Sequence, residues 1–342
     1  MMNLSNKIEA FRIWGLELTE ENERKQFAFL RAYNENNWFT ANSISLMLNS
    51  IIAEYLDKNK LKDWLISYSI PEVDPLLDIG LIVAGNVPLV GFHDIVCILL
   101  SGNNIKLKCS SKDEQLYRWA IELLSKNNPE LSNRIEFVQQ IKSVHALIAT
   151  GSDLALNQFR HYFNSIPNLL RGHKNAVAVL DGNETTTDFR ELAHDIFSYY
   201  GLGCRNVSKL YVPYGFSFES LLSVLDSTFP QIHDHHKYRN NFDYQLAIHM
   251  LQKQHFFQAQ SCILVENNAI ASPISVINYE YYTIKETLLS ELKSRDEEIQ
   301  CIVSKNKLND LETFSFGQAQ CPGLNNFADH KDSLKFLLNL NQ

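Results

Sequence analysis

From Ile79 onward the chain alternates short apolar runs with amphipathic segments, and this alternation restricts the possible folds more than any other feature. Strands that recur between helical stretches of about 10–15 residues make βαβ units, which close into parallel sheets with helices packed on their faces. The pattern predicts strands over 79–84, 105–109, 146–150 and 176–180, forming one open, mainly parallel sheet. A helix is expected to begin after Pro88 and end at Gly102, since proline favours the first helical position and glycine the position just past the last. Further helices are expected over 114–124 and 153–163. Asp181-Gly182 reads as a turn and marks the boundary to a second α/β pattern. That pattern has helices near 187–200, 217–227, 238–258 and 288–297, and strands over 209–212, 262–265, 274–279 and 300–303. Ahead of all this, residues 1–70 contain no proline and one glycine. Ile44, Met47, Leu48, Ile51, Ile52, Tyr55 and Leu56 fall there at helical spacing, so the N-terminal region is expected to be helical.

Composition agrees with two packed domains. At 342 residues the chain exceeds the roughly 250–300 at which one core stops growing. Its 45% hydrophobic and 20% charged content is that of a globular protein. A net charge of -8 with scattered lysines argues against nucleic acid as a partner. The first fifteen residues lack the apolar stretch of about 7–15 that a signal peptide needs, and no run approaches the roughly 18 apolar residues of a membrane span. A cytoplasmic location is therefore expected. The six cysteines stand far apart with no C-x-x-C pair, which points to reduced thiols and to no metal framework.

Three segments could carry chemistry. In Gly201-Leu202-Gly203-Cys204-Arg205-Asn206, two glycines permit an unhindered loop before a strand. An arginine beside Cys204 would favour the thiolate, so Cys204 is either a nucleophile or an inert small apolar side chain. Cys321, also in a predicted loop, is the reserve candidate, while Cys97, Cys109, Cys262 and Cys301 fall inside predicted elements. In Ala84-Gly85-Asn86-Val87-Pro88, the Asn86 amide could donate to an oxygen that becomes negative during acyl transfer, or could serve as a turn or cap residue. Gly151-Ser152 begins a predicted helix, where free N–H groups could hold a phosphate or where Ser152 could simply cap. The run His233-Asp234-His235-His236 lacks a second ligand set and reads as a surface loop. His93 is expected to pack or cap, and Asp94 to complement its helix dipole.

Taken together, Asn86-Val87-Pro88, Lys108-Cys109-Ser110-Ser111, Gly151-Ser152 and Gly201-Leu202-Gly203-Cys204 follow the order of motifs in the aldehyde dehydrogenase superfamily. The strings GNVPLVGFHD, ATGSD, AVLDG, GLGCRNVSKLYVP, SPISV and FGQAQCPGL resemble its LuxC-type acyl-CoA reductases. The match runs from about residue 80 onward. The resemblance implies an α/β, aldehyde dehydrogenase-like fold: two open α/β domains with a cleft between them and a helical N-terminal region. It assigns a cofactor-binding domain to 1–180 (helical region 1–75), a catalytic domain to 181–315, and to 316–342 a C-terminal segment packing back near the cleft. It further implies that Cys204 takes up an acyl group, long-chain by the resemblance, from acyl-CoA or from an acyl-protein, with Asn86 as oxyanion donor, and that hydride reduces it to an aldehyde.

Two motifs of the aldehyde-oxidising members are missing. They keep a glutamate two residues before the Gly-Gly that closes the cofactor domain; Val179, in Ala178-Val179-Leu180-Asp181-Gly182, is expected there. The Glu-x-x-Gly-Pro motif is replaced by Ala269-Ile270-Ala271-Ser272-Pro273. Both absences suit a reductase. Ser111 stands where many NAD-preferring relatives carry glutamate, and with Lys108 and Lys112 it should attract a 2′-phosphate, so NADPH is the expected cofactor. Otherwise those lysines are solvated surface charges. Lys108, Ser111, Gly151, Ser152 and Leu180 form the expected cofactor-binding set, with no metal. A homo-oligomer and an acyl-transferring partner protein complete the expectation. The rival readings are NAD-dependent aldehyde oxidation, a thiol acyltransferase or thioesterase without a redox step, and a non-catalytic subunit.

Overall fold

The computed structural model describes residues 2–340, and the chain divides into two compact units, Met1–His173 with Pro322–Gln342, and Lys174–Cys321. The first unit opens with helices α1 (Leu4–Thr19), α2 (Glu23–Glu35), α3 (Ala41–Ser50) and α4 (Lys58–Leu65). Each starts on a side-chain cap: Asn3, Asn22, Thr40 and Asp57 accept from backbone N–H groups of the first turn. A π-helical turn, Ile51–Tyr55, extends α3.

Five strands follow: β1 (Asp78–Ile82), β2 (Asn104–Lys108), β3 (Ile135–Phe137), β4 (Ala146–Thr150) and β5 (Asn168–Arg171). They lie in the order β3-β2-β1-β4-β5, all parallel. Helices α5 (Phe92–Leu100), α6 (Glu114–Asn127), the short α7 (Pro129–Ser132) and α8 (Asp153–Tyr162) connect them. Alternate residues of each strand go to opposite faces. Ile79, Leu81, Ala146 and Ile148 join the large core with α1 to α6, whereas Ile82, Leu147 and Ala149 meet Leu156 and Phe159 of α8. Burial on both faces is why these strands read as unbroken apolar runs. The strand order reverses between β1 and β4, and ligands of such sheets bind beyond the carboxyl ends at that reversal.

The second unit is a seven-stranded sheet, built from β6 (Asn175–Val179), β7 (Val207–Pro213), β8 (Phe256–Gln258), β9 (Ile263–Glu266), β10 (Val276–Tyr282), β11 (Ile299–Ser304) and β12 (Thr313–Phe314). The order is β12-β11-β6-β7-β10-β9-β8, parallel except for β8. Helices α9 (Thr186–Phe197), α10 (Glu219–Thr228), α11 (His236–Leu251) and α12 (Lys285–Ser294) cover it. A reciprocal cap between Thr185 and Asp188 starts α9. The chain then returns to the first unit as α13 (Ser333–Asn339), packed on α5. Among the described residues no helix is long and apolar enough to cross a membrane.

Three elements differ from the sequence expectation. Strand β6 pairs with β7 and β11 rather than completing the first sheet, where β5 takes the edge. Helix α11 ends at Leu251, because Lys253 takes φ 53° and residues 256–258 become an edge strand. Helix α5 starts only at Phe92, since Leu89 takes φ 50° and breaks the turn after Pro88.

Candidate active site

In the first unit Asn86, Lys108, Ser111, Gly151 and Ser152 all lie at the carboxyl ends of β1, β2 and β4, around the strand-order reversal. Asn86, Ser111, Lys112 and Ser152 are exposed, and Lys108 is half-buried. The loop after β1 is fixed from below. Gly85 lies so close to the next loop that an added Cβ would stand 2.6 Å from Ser110 Oγ, and its carbonyl accepts from Asn36 Nδ2 at 3.2 Å. The Leu89 N–H donates to Asp113 Oδ2 at 2.8 Å and the Gly91 N–H to the Tyr117 hydroxyl at 2.9 Å. The segment that carries Asn86 is thereby tied to the one that carries Lys108 and Ser111.

Asp113 is buried, its Oδ1 meets no hydrogen-bond partner among the described residues, and burial pushes its carboxyl well above the usual carboxylate range. Its neighbour Glu114 pairs with Arg118. The exposed end of β2 thus shows Lys108, Ser111 and Lys112 while the acid of this loop is turned inward, which suits a phosphate-bearing adenosine ribose. Ser152 is the N-cap of α8, accepting from Ala155 N at 3.4 Å, and Asp153 occupies the first turn. The Gly151 N–H bonds to Arg171 O at 3.2 Å.

Asp94 does more than complement a helix dipole. It accepts from Arg171 Nη1 at 2.6 Å and from Ser333 Oγ at 2.7 Å, joining α5, β5 and α13 in a buried network. His93 is half-buried against Tyr55, Trp64 and Phe327, and desolvation lowers its pKa.

In the second unit Cys204 is half-buried in the loop ahead of β7. The backbone enters this loop through Tyr199, Tyr200 and Gly201 at φ 52°, 58° and 77°. For the two tyrosines this left-handed conformation costs of order 1–2 kcal/mol each. Asn206 holds it in place. Its Oδ1 accepts the Gly203 N–H at 2.8 Å, and its Nδ2 donates to Ser198 O at 2.7 Å, Asp195 O at 3.1 Å and Ile196 O at 3.2 Å. Arg205 is turned inward over the Phe314 ring, 5.3 Å from its centre, and it also acts on the Cys301 thiol. Cys301 and Cys262 are buried, and burial pushes both thiols up to about 12; Cys97 is buried and burial raises its thiol as well. Cys109 is partly buried and is raised too, while Cys321 is half-buried. The run 233–236 forms a short turn and the start of α11, where His235 Nδ1 caps Tyr238 N at 3.3 Å.

Leu180 and Cys204 are not brought together. Leu180 is fully buried at the carboxyl end of β6, its N–H on Tyr211 O and its carbonyl on the Tyr282 hydroxyl. Cys204 precedes the amino end of β7, so the two are separated by roughly the length of that strand, about 20 Å. The first sheet closes at β5, followed by Gly172, so Leu170 stands two residues before that glycine, while Val179 ends β6 of the second sheet. Both are aliphatic. Sequence reasoning missed Asn206, Asp113 and Tyr117, whose side chains face inward and hydrogen-bond to backbone.

Solved structures with the same fold are aldehyde dehydrogenases. Aldehyde dehydrogenase 21 from Physcomitrella patens, in complex with its product succinate, superposes with a TM-score of 0.68 at 10% identity, over 99% of this chain and 84% of that one. Aldehyde dehydrogenase C from Pseudomonas syringae, with NAD+ and octanal, gives 0.63 at 11%, over 90% and 73%. The NADP-dependent glyceraldehyde-3-phosphate dehydrogenase from Bacillus halodurans, with NADP, gives 0.60 at 14%, over 89% and 74%. No curated protein matches the chain by sequence. The family model for acyl-CoA reductase (LuxC) matches residues 16–227, well over half the chain and inclusive of Asn86, Gly151 and Cys204, so the chain belongs to the LuxC acyl-CoA reductase family.

Proposed function

We propose that this protein reduces an acyl-CoA or acyl-protein thioester to an aldehyde through an acyl group carried on Cys204, with NADPH as reductant. The observation that carries the reading is the family match across both the Asn86 and the Cys204 segments. The half-buried Cys204 thiol on a strained, heavily bonded loop, beside raised and buried thiols elsewhere, supports its choice as nucleophile.

The Cys204 thiolate attacks the thioester carbonyl, the Asn86 amide donates to the oxygen that becomes negative, and the carbon–sulfur bond to the carrier breaks. The carrier thiolate leaves and takes up a proton. Lys108, Ser111 and Lys112 would hold the adenosine 2′-phosphate of NADPH, and the Gly151 turn its diphosphate. When bound, NADPH supplies the hydride. Collapse of the reduced adduct expels the aldehyde and returns the Cys204 thiol. By the resemblance, an aliphatic side chain stands where aldehyde-oxidising members keep a glutamate, which favours transfer of hydride over water to the acyl group.

The bound cofactors named for the Pseudomonas and Bacillus proteins favour a nicotinamide partner here. Steady-state assays test this: NADPH should be oxidised on addition of dodecanoyl-CoA, with aldehyde and free CoA formed in equal amounts. CoA release without NADPH oxidation would overturn the redox step and favour a thioesterase.

A further inference from the structure

The loop ahead of β7 is braced from a second direction, by residues 316–320 near the end of the second unit. The Gln320 Nε2 donates to Arg205 O at 2.9 Å, immediately after Cys204, and to Asp195 O at 3.4 Å. Residues 317–319 are in turn fixed by the Asp195 carboxylate on α9. Its Oδ2 accepts the Gly317 N–H at 2.7 Å and its Oδ1 the Ala319 N–H at 3.0 Å. Asp195, Asn206 and Gln320 are all buried. Asn206 and Gln320 bond to the backbone of Gly203 and Arg205 on either side of Cys204, and the Asp195 carboxylate holds the 317–319 segment that carries Gln320. Among the described residues no ion pair is made by this carboxylate, and two amide donors offset the cost of its burial, which is an expensive way to hold a loop end.

We propose that Asp195 and Gln320 are positioning residues for Cys204, bracing residues 203–206 against the strain of Tyr199 and Tyr200 so that the thiol keeps its attacking position. The inference rests on Cys204 being the nucleophile. Burial raises the Asp195 carboxyl to about 7 against the pull of the Gly317 and Ala319 amides, with Glu191 on the same helix adding to the rise. Cys301 on β11 also feels Asp195, Arg205 and Cys204. The ionised carboxylate is the better acceptor, so the brace tightens as pH rises through this range.

The test is alkylation of Cys204 by iodoacetamide, followed by peptide mass mapping from pH 6 to 8.5 on the full chain, together with the rate of acyl loading from dodecanoyl-CoA and the NADPH Kd. Gln320→Ala should slow both Cys204 reactions by about tenfold at pH 7.5 and leave the NADPH Kd within twofold. Asp195→Asn, which keeps the side-chain volume, should show the same slowing above pH 7 and converge on the wild type near pH 6. Cys204 rates within twofold of wild type across that range in folded Asp195→Asn would overturn the proposal, and this variant decides the matter if Gln320→Ala does not fold. Loss of the nucleophile reading is separately visible, as undiminished turnover in Cys204→Ala.

Discussion

Replacing Asp113 by asparagine and by alanine perturbs the Asn86 segment in two different ways. In the folded protein the side chain is buried, Oδ2 accepts the Leu89 N–H at 2.8 Å, and burial holds the carboxyl toward its neutral form. Alanine removes the acceptor. An unsatisfied buried N–H costs about 1–3 kcal/mol, and the bond that restrained Leu89 at φ 50° is gone, so near pH 4, where the wild-type carboxyl carries little titration penalty, a loss of about 2–3 kcal/mol is expected. For a unit of this size that lowers Tm by roughly 5–10 °C. Asparagine keeps the acceptor, and it does not titrate. A carboxyl whose folded pKa lies above its unfolded value of about 3.9 contributes stability that is fully present below that value and lost as pH rises through the folded pKa. Asp113→Asn should therefore be more stable than wild type in urea at pH 8, with the advantage shrinking toward pH 5. Equal destabilisation of Asp113→Asn at both pH values would refute the reasoning, because it would mean that an ionised Asp113 is making favourable charge interactions.

Ser111→Glu should weaken NADPH by about tenfold in fluorescence titration and spare NADH. A carboxylate about 5 Å from a phosphate charge costs roughly 0.8–3.3 kcal/mol for effective dielectric constants of about 80 down to 20. Asp94→Ala should cost about 3–5 kcal/mol in equilibrium unfolding, because Arg171 is left buried without its partner. Burial opposes ionisation of Asp94, but the charge and hydrogen bond of Arg171 outweigh it and lower the pKa. The contribution is therefore present above the unfolded value near 4 and lost as pH falls through the folded one.

The two α/β patterns were legible because β1, β4, β6 and β9 are buried on both faces and written in apolar runs. Sheet membership was not. A strand such as 175–179 is equally apolar in either sheet, and only pairing with β7 and β11 decides. Strands β3 and β5 have three and four residues, too short for a period to show, and their absence from the reading moved the expected closing glycine from 172 to 182. At the site, Gly85 and Cys204 announce themselves by residue type. Asn206, Asp195 and Gln320 do not, since a polar residue near a loop looks alike in sequence whether it caps a helix, faces water or turns inward to hold backbone.

The most direct measurement is the intact mass of the full chain after mixing with dodecanoyl-CoA in the absence of NADPH, with peptide mapping of the adduct. The account predicts one added acyl group, on Cys204, absent from Cys204→Ala and discharged as aldehyde when NADPH is supplied. An acyl group on another residue, or aldehyde formation by Cys204→Ala at the wild-type rate, would contradict it.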